Sequence, residues 1–230
     1  YRAGIFDQVI TFTMNFQNKG ASSSATSLSS TTISTADTSG VSVGDYILLI
    51  QDEQTSQVTA YGKVTSLVAN TSITVDSLTN SGSAPSIDGT DDFIYVMDAS
   101  AIDFGDVSAS LVNYVVLGYE VTADLENGYV VQVMDSGDIG YGGSTLSDVS
   151  DGTVTAGSEE YGASSSDTSI SSSTFDTEDT AITNSFQDIA TESSAKFEDR
   201  NYLTLKFGID GLPSSGTYTQ TLSLVASGNF

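Results

Sequence analysis

The chain has no cysteine, no histidine and no tryptophan, only two prolines, and only six lysines and arginines among 230 residues. Each shortage excludes something. Without cysteine there is neither a disulfide framework nor thiol chemistry, although this alone is neutral on compartment. Without cysteine and histidine the usual ligands of zinc, copper and haem are missing. The usual general base of nucleophilic catalysis is missing with them. Six cations face thirty Asp and Glu, a net charge of -24. No basic surface is left to displace counterions from phosphates, which argues against nucleic acid as a partner. The same charge disfavours anionic membrane surfaces. No run approaches the roughly 20 apolar residues of a membrane helix, so no membrane insertion is expected. Helical periodicity of useful length is also lacking. Glu159 and Glu160 are the obvious carboxylate pair, but neighbours on a strand point to opposite faces and cannot flank one glycosidic bond. These absences point away from an enzyme.

What is present is alternation at period two, the mark of half-buried strands. Near the start, Ile10, Phe12, Met14 and Phe16 form one apolar face, with Thr11, Thr13, Asn15 and Gln17 on the other. Residues 115–124 place Val115, Leu117, Tyr119, Val121 and Ala123 on one face, and residues 128–137 place Tyr129, Val131 and Val133 likewise. The turn at Glu126, Asn127 and Gly128 predicts an antiparallel hairpin between these two. Further strands are predicted at 182–190, at 202–210 (Leu203, Leu205, Phe207 and Ile209 inward) and at 218–226 (Tyr218, Leu222, Leu224 and Ala226 inward). The last two are expected to pair across a turn at Leu212, Pro213 and Gly216. Residues 101–110 read as a short strand and turn, and 135–181 as a Gly-, Ser- and Asp-rich tract with few strand-length runs.

Residues 18–30 have the composition of a flexible linker. Residues 31–98 hold four short predicted strands, at 44–50, 58–68 (Gly62 a bulge), 71–78 (Ile73 and Val75 inward) and 91–98. The expected fold class is all-β. It comprises an N-terminal strand (1–20), a linker with an inserted small β-barrel subdomain (21–98) and a C-terminal antiparallel β-sandwich (99–230).

The first strand is unusually apolar, and a Ser-rich stretch follows it. Ile10, Phe12, Met14 and Phe16 are therefore candidates for a donor strand that completes the sheet of a neighbouring copy. Such head-to-tail contact builds open filaments. Acidic turns at Asp88, Asp91 and Asp92 and at Asp135 and Asp138 offer the oxygen ligands calcium prefers, without an EF-hand spacing. Asp176, Glu178 and Asp179 form a third such turn. Asn70-Thr71-Ser72 is a glycosylation sequon. Lys206 lies near Asn201 and Asp210, but alternation puts it opposite Leu205 and Phe207, as an exposed lysine instead of a crosslinking one. Tyr1 reads as a processed terminus.

Several segments in order resemble secreted β-sandwich surface proteins of ultrasmall candidate-phyla bacteria, themselves distantly similar to WxL-type domains. These are DFGDVS (103–108), LENGYVVQVMDSG (125–137), SEEYGAS (158–164), ITNSFQDIA, YLTLKFGID and the closing GTYTQTLSLVASGNF. The resemblance covers about residues 100–230. It implies an exported, cell-surface or pilus-like location and no catalysis, and it transfers no functional residue. The expected function is a structural subunit of an extracellular filament, a homopolymer joined by strand donation. The alternative is a monomeric adhesin or ligand-binding module presenting the 31–98 segment.

Overall fold

A computed structural model describes residues 9–210 and 216–229. Tyr1, Leu212 and Pro213 fall outside them. The strands are β1 (Ile10–Phe16), β2 (Ser22–Ser24), β3 (Ser27–Ser29), β4 (Thr32–Ser34), β5 (Tyr46–Gln51), β6 (Val58–Val68), β7 (Ser72–Val75), β8 (Thr79–Asn80), β9 (Phe93–Val96), β10 (Asn113–Ala123), β11 (Tyr129–Asp135), β12 (Gly140–Tyr141), β13 (Ser144–Thr145), β14 (Glu160–Ser165), β15 (Gln187–Glu192), β16 (Lys196–Gly208) and β17 (Leu222–Gly228). Pairing is antiparallel in every sheet, and the fold is all-β. Among the described residues no helix is long and apolar enough to cross a membrane.

Two sheets make the sandwich. One runs β1-β10-β16-β14 and the other β15-β11-β17. Between them lies a core that includes Val115, Leu117, Tyr119, Val121, Tyr129, Val131, Val133, Leu203 and Leu205. These are the inward residues that alternation predicts. The pairing differs from expectation, however. β10 and β11 do not form a hairpin: β10 pairs with β1 and β16, and β11 with β15 and β17. The chain crosses from one sheet to the other at 124–128. In the same way β16 and β17 lie in different sheets. Periodicity shows that a strand faces a core, not which strand lies beside it. Residues 101–110 form no strand; Ile102, Phe104 and Ala109 pack on the core as coil, with Phe104 edge-on to Phe207 at 4.7 Å.

Residues 22–96 form a lobe inserted between β1 and β10. Its sheet runs β2-β9-β5-β6-β7-β4-β3, with β8 beside β6. The sheet curls around Ala25, Ile33, Ile47, Leu49, Val64, Ile73, Val75 and Ile94. Its end strands β2 and β3 follow each other through Ala25 and Thr26, whose N–H groups bond the Asp92 and Ser34 carbonyls, so one bent segment links the two ends of the sheet. The predicted linker at 18–30 is ordered structure: it contains β2 and β3, and Ala25 is fully buried. Short Ser and Thr side chains that suit a linker also suit a narrow, half-exposed strand. Gly62 is not at the bulge, which lies between Val64 and Ser66. A Cβ at Gly62 would meet the Ser77 carbonyl at 2.4 Å, so close backbone approach demands the glycine.

The lobe packs on the outer face of the four-stranded sheet. Leu48, Ile50, Tyr61, Tyr95 and Met97 meet Val116 and Tyr202 there. β5 is therefore covered on both faces, which explains its unbroken YILLI run. Tyr61 lies flat over Gly118, where a Cβ would come within 2.7 Å of the ring. The Tyr202 hydroxyl donates to the Thr59 carbonyl at 2.7 Å, and the Asn15 amide donates to the Tyr61 hydroxyl at 3.0 Å. Arg200, its side chain 4% exposed, bridges Asp76 of the lobe (2.5 Å) and Glu120 of the sandwich (2.8 Å).

Candidate functional site

A sandwich has two lateral sides where its sheets end, and here they differ. On one side the edges are covered. The outer edge of β14 is bonded by Tyr161 N–H to the Ser147 carbonyl (2.9 Å), Val149 N–H to the Tyr161 carbonyl (2.8 Å), and a reciprocal Ala163–Thr180 pair. The β15 edge is capped by side chains: Thr191 N–H donates to Asp167 (2.8 Å), and the Ser165 and Ser173 hydroxyls donate to the Ile189 and Asp188 carbonyls. Phe175, fully buried, plugs this side. The Gly-, Ser- and Asp-rich tract thus supplies β12, β13 and β14 and then closes a flank.

Among the described residues the other side is open. It is bounded by β1 and β17, each the last strand of its sheet and each paired with only one neighbour among the described residues. Gln17 N–H donates to the Val116 carbonyl and Asp124 N–H to the Val9 carbonyl, both at 3.1 Å. In an antiparallel ladder this phase sends the bonding groups of odd-numbered residues toward β10. The N–H and C=O of Ile10, Phe12 and Met14 therefore point outward. Only at the far end does the 97–106 segment cover the edge, where Ala99 N–H reaches the Phe16 carbonyl.

The side chains tell the same story. Ile10, Phe12, Phe16, Leu222, Leu224 and Ala226 pack on the core but are only partly buried. Met14 belongs to the core-facing series, opposite Tyr119, yet is 43% exposed. The strip is also uncharged: no Asp, Glu, Lys or Arg occurs in residues 8–18 or 211–230, on a chain of net charge -24. Unpaired backbone groups, half-covered apolar side chains and an absence of charge together make a seat for an added strand.

The donor-strand reading is corrected in one respect. Ile10, Phe12, Met14 and Phe16 find their partner sheet in their own chain, along the full register from Ile10 opposite Ala123 to Phe16 opposite Leu117. No loose tether follows, since Asn18 N–H bonds the Val96 carbonyl and Ala21 N–H the Asn18 carbonyl. An apolar strand at a chain start looks incomplete in sequence because β10, its partner, lies about a hundred residues away.

Several of the other candidate residues have structural partners. Asp92 is 2% exposed and accepts from the N–H groups of Asp88 and Gly89, both at 2.8 Å, and of Asp52. Asp91 adopts a left-handed turn conformation beside it. Asp135, 3% exposed, accepts from Gly137 N–H and the Gln220 amide. Among the described residues no three of the His, Cys, Asp or Glu side chains gather to hold a metal ion, and of the calcium candidates Asp88, Asp91, Asp92, Asp135 and Asp138, Asp92 and Asp135 fix turns. Sequence reading missed Asp148: burial, then the nearby Asp138 and Asp135 carboxylates, raises its pKa above the ordinary carboxylate value. Of the third acidic turn, Asp179 is anchored by Val154 N–H and an ion pair with Lys206 at 2.5 Å. Lys206 is thus paired, not freely exposed. Asn201 accepts from Ser166 instead of approaching Lys206. Asn70 sits exposed in the turn between β6 and β7.

A polar cleft of about 760 Å³ lies where the chain crosses between the lobes, lined in part by Gln17, Asn18, Lys19, Asp98, Asp103 and Asp106. The Gln17 amide nitrogen beside it is buried without a partner.

No protein-family model matches the chain, and no curated protein or solved structure matches it.

Proposed function

We propose that the chain is a structural subunit of an extracellular filament, joined to its neighbours by strand addition at the open side of the sandwich. One observation carries this reading: both free edges, β1 and β17, lie on the same uncharged flank, with core-facing Met14 exposed between them, while the opposite flank is sealed. The proposal assigns no catalysis. β1 is part of the seat and not the inserted strand, so deleting residues 1–17 would remove a strand of the core sheet and test folding more than assembly.

A single edge residue gives a cleaner test. The Met14 N–H points away from β10, so proline there removes no bond of the chain's own ladder, which is where sheets tolerate proline. Met14→Pro is expected to keep the fold, with stability changed by about 1 kcal/mol or less, and to abolish fibres in negative stain and high-mass material in size-exclusion chromatography. Fibres formed by Met14→Pro at the normal rate would refute strand addition along β1.

Copies of net charge -24 repel one another. The screening length falls from about 8 Å at physiological salt to about 3 Å at 1 M. Assembly is thus expected to speed up as sodium chloride is raised, measured by light scattering. A rate that falls with salt would point to a contact driven by ion pairs.

The polar cleft favours a second reading, a monomeric ligand-binding surface module. Monomers at all salt concentrations in size-exclusion chromatography would support it.

A further inference from the structure

We propose that the polar cleft at the crossing between the lobes binds a neutral, hydroxyl-rich ligand, a short sugar chain. This rests on the ligand-binding reading of the cleft and names its class of ligand; it does not depend on assembly.

The cleft is built from two segments, residues 17–20 and 98–106, and its volume of about 760 Å³ is that of a small-ligand site. Asp98, Asp103 and Asp106 line it as hydrogen-bond acceptors. The Asn18 amide donates to one oxygen of Asp98 at 2.8 Å, and Gly105 N–H to one oxygen of Asp103 at 2.9 Å. These bonds orient both carboxylates. Among the described residues their second oxygens, and the whole of Asp106, have no donor. Carboxylates alone do not identify a ligand. The deciding group is Gln17, which lines the same cleft and is 2% exposed. Its Oε1 accepts from Val116 N–H at 3.0 Å, while Nε2, the other arm of the amide, is buried without a partner. A buried donor left without an acceptor is costly, and an acceptor brought to the cleft floor removes that cost. The torsion that orients a glutamine amide is broad, so a small turn brings Nε2 to such a group while Oε1 keeps its bond to Val116.

One ligand must then offer an acceptor to Gln17 and donors to the aspartates. A hydroxyl does both, because it carries one donor hydrogen and two acceptor lone pairs. A metal cation is a poor match: among the described residues no three carboxyl groups gather around a point, and Nε2 presents a hydrogen. An anion meets three carboxylates on a chain of net charge -24. Lys19 does not offset them, since its ammonium faces Glu53 at 3.6 Å. Phe104, partly buried and packed edge-on to Phe207, adds an apolar surface to the cleft. The C–H face of a sugar ring packs on such a surface while its hydroxyls reach the polar groups around it.

The test is calorimetric titration of the full chain with neutral trisaccharides of glucose, mannose and N-acetylglucosamine, and separately with trilysine. At least one trisaccharide is expected to bind. Its affinity should be the same at about 0.1 M and about 1 M sodium chloride, because an uncharged ligand is not screened. Asp103 and Asp106 are exposed, so the double variant Asp103→Ala, Asp106→Ala should keep the thermal midpoint of the wild-type chain. It should bind the sugar about tenfold more weakly or worse. Gln17→Glu keeps an oxygen for Val116 N–H but loses the donor, and should weaken binding similarly; if it does not fold, the double variant decides. Sugar binding that survives the double variant unchanged would overturn the proposal, by placing the site elsewhere. Trilysine binding to the wild-type chain and not to the double variant, with no sugar bound at about 10 mM, would overturn the sugar and leave the ligand-binding reading standing. Binding of neither probe would overturn both.

Discussion

Replacing Arg200 with methionine is expected to cost about 3 kcal/mol and to lower the thermal midpoint by roughly 10 °C. The guanidinium is almost fully enclosed between the lobe and the sandwich, where it makes two bonds to Asp76, one to Glu120 and one to the Ser77 hydroxyl. Methionine fills much of the volume but leaves two carboxylates facing each other without a cation. The cost sits at the low end for a broken buried pair because the Asp76 side chain is 31% exposed and partly rehydrates. Arg200→Lys should fall between, since an ammonium keeps the charge but cannot fork onto both oxygens of Asp76. Calorimetry on the three proteins checks this, and an unchanged midpoint for Arg200→Met would show that the apolar contacts alone hold the lobes together.

The same site sets an acid limit. Burial alone would raise the Asp76 carboxyl, but bonds from Arg200 and from Ser77 N–H outweigh it and hold its pKa below the ordinary carboxylate value. A depressed carboxylate stabilises the fold above its unfolded pKa of about 4 and loses that contribution as pH falls through the lower folded value. The stability gap between the wild-type chain and Arg200→Met should therefore narrow below about pH 4.

Gly128→Ala is expected to be as damaging or worse, at roughly 3–5 kcal/mol, from a left-handed backbone and forced overpacking combined. Gly128 has φ +72°, and a Cβ there would lie 2.0 Å from the Glu192 carbonyl oxygen, a backbone atom that cannot swing away. The residue also marks the crossing from β10 to β11, and its carbonyl accepts Asn229 N–H at the end of β17. Shifting it disturbs the sheet order β15-β11-β17 at all three strands. Urea unfolding should show a lower midpoint with a similar slope. A midpoint within error of wild type would mean the turn has room that the geometry does not show.

How far the sequence reaches can be judged from particular strands. In β10, alternation identified Val115, Leu117, Tyr119, Val121 and Ala123 as core, and all five are buried. It said nothing of the other face, where Val116 and Gly118 receive the inserted lobe. In β5 a strand was legible at 44–50, but not that the lobe core covers one of its faces and the four-stranded sheet the other. The Ser-rich stretch at 18–30 was misleading because composition reports solvent preference, and narrow edge strands share it with linkers.

The amino-acid order alone settled the all-β class, the inward face of the long strands and the acidic surface, because each follows from local period and residue chemistry. Which strands pair, that Ile10–Phe16 is seated in its own chain, and that one flank of the sandwich is sealed while the other is open among the described residues were decided only in three dimensions. Those facts depend on contacts between residues tens to more than a hundred positions apart, and a periodic pattern carries no record of its distant neighbour.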